Sequence, residues 1–165
     1  VASIASQLGS IDILINNAGV GDFGSFEEMP VETWEKVMKV NLFGVYYVAK
    51  AALPYLKQNK EGDIVNVAST AGLKGAPNMS AYCASKAAVI SLSQSLMAEL
   101  RKFNIRVITL TPSTIATDMS IEGKLTDGNP EKVLQPEDFA EWVRDILKMN
   151  RRAMIASASI FSTNP

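Results

Sequence analysis

Three short apolar runs, Ile11–Ile15, Asp63–Ala68 and Ile105–Leu110, constrain this chain more than any other feature. Each is rich in β-branched residues and nearly unbroken by polar side chains, as suits a strand covered on both faces. Long stretches with helical spacing separate them. Strands alternating with helices of this length join as parallel β-α-β units, so the expected fold is α/β around a parallel sheet.

The intervening segments fill in the order. Val1–Leu8 reads as the tail of a helix broken at Gly9. The first strand ends in Asn16-Asn17-Ala18-Gly19, a turn signal of small side chains. Pro30 opens a long helical region, with Glu27, Glu28 and Glu32 near its positive end. Trp34, Val37 and Met38, then Val45, Val48, Ala52 and Leu56, recur at helical spacing, and Pro54 is expected to kink the helix near its end, with Gly62 closing the segment. Ala81–Phe103 reads as a second long helix. After Pro112 the stretch Ser113–Asn129 shows no strong period and is expected to be a mobile loop. Pro136–Met149 returns to helix, and Met154–Phe161 is expected to form a last strand. There are no repeats and no linker, so residues 1–165 read as a single domain.

Composition removes several function classes. The chain has 165 residues, 47% hydrophobic and 20% charged, with a formal net charge of −1, enough for one core and too balanced for a nucleic-acid surface. Cys83 is the single cysteine and there is no histidine. Serine–histidine hydrolysis, cysteine–histidine proteolysis and histidine- or cysteine-based metal sites are therefore excluded, and no metal is expected. The longest apolar stretch, Val37–Leu56, is broken by Lys39, Asn41 and Lys50, so no membrane span is expected. With no visible signal peptide, a cytoplasmic setting is the expectation. Acid–base work near neutral pH falls to a perturbed Tyr, Lys, Asp, Glu or Cys.

Tyr82 and Lys86 supply a candidate. Four residues apart on a helix, they place a phenol and an ammonium on one face, and a nearby cation is expected to lower the phenol's pKa from about 10. Such a tyrosine can give a proton to a carbonyl oxygen or take one from an alcohol. Spacing alone carries little weight, because Tyr46 and Lys50 share it and read as a solvated pair. Ser69 distinguishes the first pair: it closes the second strand, thirteen residues before Tyr82. In a parallel sheet the carboxyl ends of the strands form the ligand crevice, and Asn16–Gly19, Ser69 and Pro112 all belong to that edge. Taken singly, Ser69 could be a turn residue and the Asn-Asn-Ala-Gly segment an ordinary turn. Asn41, inside an apolar helix, demands a hydrogen-bonded partner.

In order and spacing, Asn16-Asn17-Ala18-Gly19, Asn41 in Val40-Asn41-Leu42-Phe43-Gly44, Ser69 after Ile64-Val65-Asn66-Val67-Ala68, Tyr82-x-x-x-Lys86 and the strand ending at Pro112 resemble the short-chain dehydrogenase/reductase family. The resemblance implies a doubly wound, Rossmann-like sheet of which this chain carries the C-terminal two-thirds, the first β-α-β segment with its glycine-rich phosphate turn being absent. It implies Tyr82 as general acid/base, Lys86 as the group that lowers its pKa and holds the nicotinamide ribose, Ser69 as a hydrogen-bond donor to the substrate oxygen, and Asn41 as anchor of a water relay to Lys86. By the same resemblance Asn16, Ala18 and Gly19 lie along the adenosine side of the cofactor, and Pro112, Ile115 and Thr117 near the nicotinamide carboxamide. One departure is local: Ser113 stands where the family usually has glycine after Pro112.

These readings lead to an oxidoreductase that moves a hydride between NAD or NADP and a small carbonyl/alcohol substrate. The alternative is a truncated, non-enzymatic relative acting as an interaction or oligomerisation module. A homo-oligomer is expected through the two long helices, which are apolar on more than one face. Without a neighbouring strand, Ile11–Ile15 would leave an open edge, which argues for a longer polypeptide or for self-association through that edge. Met119, Ile121 and Leu125 are the apolar candidates for substrate contact, and the chain is broadly similar to 3-oxoacyl carrier-protein reductases and hydroxy-acid dehydrogenases within the family.

Overall fold

The computed structural model describes residues 1–163 and contains one all-parallel sheet among them. Its strands are β1 (Ile13–Asn16), β2 (Gly62–Val67), β3 (Ile105–Pro112) and β4 (Ser157–Ile160), in the spatial order β1-β2-β3-β4. The register pairs Ile15 with Val65, Val65 with Ile108 and Thr109 with Ser157. Six α-helices connect and cover it: α1 (Ala2–Leu8), α2 (Val31–Met38), α3 (Gly44–Gln58), α4 (Ser80–Leu100), α5 (Asp118–Glu122) and α6 (Pro136–Lys148).

Side chains alternate across the sheet, so the two halves of the core draw on neighbouring residues. On one face Ile64, Ile105 and Val107 pack with Ala52 and Leu56 of α3 and Leu100 of α4. On the other, Val65, Ile108 and Leu110 pack with Val143 and Ile146 of α6. Every residue of β3 is buried, which is why its apolar run shows no alternation. Each fully buried aliphatic side chain contributes about 1.5–3 kcal/mol of transfer free energy.

The amino end of the sheet is held by charge. Asp63 accepts from Arg106 at 2.6 and 3.0 Å and from Arg151 at 2.9 Å to each oxygen. Arg106 also donates to the carbonyls of Leu147 and Met149, clamping the end of α6 to the sheet. This end lies away from the strand carboxyl ends, so the network fixes the scaffold without entering the crevice.

Several expectations need correction. β1 is not covered on both faces: Ile13 and Ile15, on one face, are 48% and 46% exposed, and among the described residues no strand pairs with its outer edge. Gly62 opens β2 instead of closing the preceding helical segment. The helical region after Pro30 is not one α-helix: a π-helical turn, Lys39–Phe43, separates α2 from α3, and α3 runs on through Pro54 to Gln58. Ser113–Asn129 is not featureless. It holds α5, tied down where Ser120 donates to the carbonyls of Ile115 and Thr117 and accepts from the Thr117 amide. The break at Gly9 is as expected, with a left-handed φ of 83° ending α1.

Candidate functional site

The carboxyl ends of β1, β2 and β3 open onto one cavity of about 660 Å³. Gly19 lines it from the β1 side, Ser69 from the end of β2, and Pro112, Ile115 and Thr117 from the segment after β3. Tyr82 and Lys86 reach it from the first turns of α4. Residues far apart in sequence meet here because parallel strands end at the same edge.

Lys86 is 5% exposed, and its Nζ donates at 2.9 Å to the Val67 carbonyl. Burial lowers its pKa from 10.5 to about 8. Nζ lies 5.6 Å from the centroid of the Tyr82 ring, over the ring rather than bonded to the phenol oxygen. The expected depression of the Tyr82 pKa is therefore not met. Burial pushes the phenol above its usual range, and the Ser69 hydroxyl pulls weakly the other way. The control pair behaves oppositely: Lys50 bonds Tyr46 directly at 3.1 Å, both in the open on α3. Helical spacing made the exposed hydrogen bond; tertiary burial made the perturbed pair.

Ser69 is held where β2 gives way to a short 3₁₀ turn, Thr70–Gly72, its Oγ accepting from the Ala71 amide at 3.1 Å. Gly72 sets the distance from that turn to α4. A Cβ there would lie 2.7 Å from the Lys86 carbonyl carbon and 2.9 Å from the Ala87 nitrogen, so only glycine lets the turn lie against the helix at Lys86.

Asn41 sits in the π-helical turn, 1% exposed. Its Oδ1 accepts from the Val20 amide at 2.8 Å, and its Nδ2 donates to the Val20 carbonyl at 2.9 Å and to Ser85 Oγ at 3.0 Å. Ser85 in turn donates to the Tyr82 carbonyl at 2.8 Å. Both amide hydrogens of Asn41 are thus spent joining the segment after β1 to the first turn of α4. A π-turn is a recurrent way to seat a polar group inside a helix near a functional site. A Cβ on Gly19 would lie 3.4 Å from Asn41 Oδ1 and 3.5 Å from Lys86 Nζ, so Gly19 keeps the space between them open.

The remaining expected residues divide. Asn16 does not line the cavity: its Nδ2 donates to Asn66 Oδ1 at 2.8 Å, and Asn66 passes the chain of bonds to Ser93 at 2.9 Å, a buried polar tie between sheet and helix. Ala18 is exposed and outside the cavity lining. Sequence reasoning missed Ser85, Gly72 and Phe23, the last meeting the Tyr82 ring edge-to-face at 5.9 Å. Ser85 stands 44 positions from Asn41, and no local pattern marks that partnership.

A doubly wound α/β scaffold with this strand-end cavity defines a class, and comparison with known proteins defines the family. The family model described as short chain dehydrogenase matches residues 1–127. The protein named "Inactive 2-(S)-hydroxypropyl-CoM dehydrogenase 2" of Xanthobacter autotrophicus is 37% identical over 177 aligned positions, covering 99% of this chain and 76% of the relative. A 3-oxoacyl-acyl-carrier-protein reductase of Thermotoga maritima is 39% identical over 132 positions, covering 80% of this chain and 51% of the relative. Among solved structures, an alcohol dehydrogenase from Thermococcus sibiricus, in complex with 5-hydroxy-NADP, superposes with a TM-score of 0.88 at 26% identity, covering 99% of this chain and 68% of that one. The chain belongs to the short-chain dehydrogenase family. Among the described residues no helix is long and apolar enough to cross a membrane.

Proposed function

We propose that the protein interconverts a small carbonyl compound and its alcohol with NAD or NADP, using Tyr82 as general acid/base. The observation that carries this reading is the meeting of Ser69, Tyr82 and Lys86 on one cavity at the strand carboxyl ends. The residues fit a nicotinamide ribose at this end: Lys86 is a buried ammonium with one hydrogen bond, to the Val67 carbonyl, and Gly19 leaves open space beside it. When bound, the cofactor supplies the hydride, which no side chain can.

The chain's own residues manage the oxygen and the proton. Burial keeps the Tyr82 phenol neutral, the form that donates. As the carbonyl carbon gains the hydride, its oxygen takes the phenol proton, and the phenolate left behind is reprotonated from solvent. Ser69 donates to the same oxygen, so the developing charge meets fixed donors. Asn41 acts through structure: with its amide hydrogens bonded to Val20 and Ser85, it holds the first turn of α4 in place. Pro112, Ile115 and Thr117 border the side where the carboxamide would lie, whereas Asn16 braces the end of β1 through its bond to Asn66 and Ala18 and Gly19 border the side where the adenosine would lie. The names of the dehydrogenase and reductase relatives support an oxidoreductase, and the relative named inactive is the observation on the side of the non-enzymatic alternative.

A homo-oligomer belongs to the same reading. Phe43, Tyr46 and Tyr47 form an exposed aromatic cluster at the start of α3, with ring centroids 6.4 and 5.5 Å apart, and a second copy would bury it. Sedimentation velocity tests this, with a dimer or tetramer expected and a monomer at micromolar concentration refuting it.

The activity itself is tested by following oxidation of NADH and NADPH against keto-esters, diketones and sugars. Turnover with at least one carbonyl is expected. No turnover across the panel, in protein shown to bind dinucleotide, would overturn the proposal.

A further inference from the structure

Between the Ser69 turn and α4, residues 73–79 form one wall of the 660 Å³ cavity, through Lys74, Gly75, Ala76, Pro77 and Met79. This loop is fixed at both ends. At one, Gly72 lies against α4 at Lys86 and Ala87 with no room for a Cβ. At the other, Asn78 takes a left-handed φ of 61°, and its carbonyl accepts from the Gly24 amide at 2.9 Å. The wall is thereby tied both to the helix that carries Tyr82 and Lys86 and to the segment after β1.

Lys74 is the one residue of that wall whose side chain can donate a hydrogen bond; the others are glycine, alanine, proline and methionine. The charge on the cavity also has one sign. Of its lining residues only Lys74 and Lys86 carry charge at neutral pH. Lys86 is engaged with the Val67 carbonyl. Lys74 is exposed, and among the described residues no carboxylate lies within ion-pair distance of it. The adjoining space beyond Gly19, Phe23 and Met119 has the opposite balance, Asp22 and Glu122 against Lys124. An anion entering the cavity is drawn to the wall that carries Lys74 and repelled from the other side.

We propose that Lys74 is a substrate-binding residue, and that the substrate is a small oxo acid whose carboxylate pairs with its ammonium while its carbonyl meets Ser69 and Tyr82. The inference rests on the carbonyl reading given above and narrows it to an anionic compound. A carboxylate at the wall gives this ammonium a partner, and a neutral group of the same shape does not.

The test compares levulinate with levulinamide, and acetoacetate with acetoacetamide, pairs that differ in charge and hardly in shape. The full protein and its Lys74→Gln, Lys74→Glu and Lys74→Arg variants are assayed for reduction of each compound with NADH and NADPH. Binding of each is followed by ligand-observed NMR, which needs no turnover. The wild type is expected to favour the carboxylate by about fivefold in at least one pair, the scale of an ion pair that stays in contact with water, and added salt should narrow the ratio. Lys74→Gln should remove the preference, Lys74→Glu should reverse it, and Lys74→Arg should keep it. Because Lys74 is exposed, all three variants should melt as the wild type does. A wild type with no preference for the carboxylate in either pair would overturn the proposal. So would a preference that survives in Lys74→Gln, which would move the anion to Lys86. Carboxylate binding that depends on Lys74, with reduction of neither acid by any of these proteins, would instead overturn the carbonyl reading and leave the anion site standing.

Discussion

Replacing Lys86 by methionine should make the protein more stable near pH 7. The unfolded chain holds this ammonium at a pKa of 10.5, and the folded protein at about 8. A shift of about 2.5 units is worth roughly 3 kcal/mol of burial cost, present in full where the lysine is charged in both states. Methionine keeps the unbranched shape and removes that cost. It also removes the bond to the Val67 carbonyl, which returns about 1 kcal/mol of destabilisation. The net expectation is a gain of about 2 kcal/mol at neutral pH. The sign with pH follows from proton counting. Between about pH 8 and 10.5 the folded protein binds fewer protons than the unfolded chain, so wild-type stability rises with pH across that window. The advantage of Lys86→Met must therefore shrink above about pH 8, pass through zero before pH 10.5, and turn there into a deficit of about 1 kcal/mol, the lost bond to Val67. Urea unfolding of both proteins across this range measures the difference, in which every other titrating group cancels. A variant less stable than wild type at neutral pH, or a difference that does not change with pH, would refute the claim that Lys86 is held at a cost to the fold. A cost of this kind is what a residue kept for chemistry is expected to impose.

Other perturbations separate scaffold from site. Asp63→Asn leaves Arg106 and Arg151 without their shared carboxylate and should cost about 3 kcal/mol or more in urea unfolding, while the cavity at the opposite end of the sheet keeps its shape. Gly72→Ala pushes the Ser69 turn off α4 and should lower kcat well before it weakens cofactor binding, with about 1–3 kcal/mol of lost stability. Asn41→Ala strands the amide and carbonyl of Val20 and should cost about 3 kcal/mol, read as a lower thermal midpoint; an unchanged midpoint would show that the Val20 groups find water instead.

The parallel sheet was legible because each apolar run carries its own signal. β3 is buried along its whole length and reads as one unbroken run. The same reasoning overestimated β1, since an apolar run states what a strand can bury and says nothing of which neighbours are there to bury it. Ser69, Tyr82 and Lys86 were legible as a set because parallel strand ends converge. The electrostatics were not. Tyr46–Lys50 and Tyr82–Lys86 share a spacing, yet the desolvation that shifts Tyr82 and Lys86 comes from the packing of α4 against β3 and the Ser69 turn. The partners of Asn41 were invisible for a similar reason. A buried amide announces that it needs hydrogen bonds, but Val20 and Ser85 lie 21 and 44 positions away. The π-turn that seats it has no signature in the apolar period of its helix.

The central claim is that burial and convergence, rather than spacing, make Tyr82 the acid. Tyr46 provides the internal comparison, since it keeps a direct 3.1 Å bond to its own lysine. The most direct measurement is carbonyl reduction by the Tyr82→Phe and Tyr46→Phe variants beside the wild type, with dinucleotide binding followed in each. Tyr82→Phe should lose reduction by a factor of about 10² or more while binding dinucleotide as before, and Tyr46→Phe should reduce the substrate at the wild-type rate. Retained reduction in Tyr82→Phe would contradict the account.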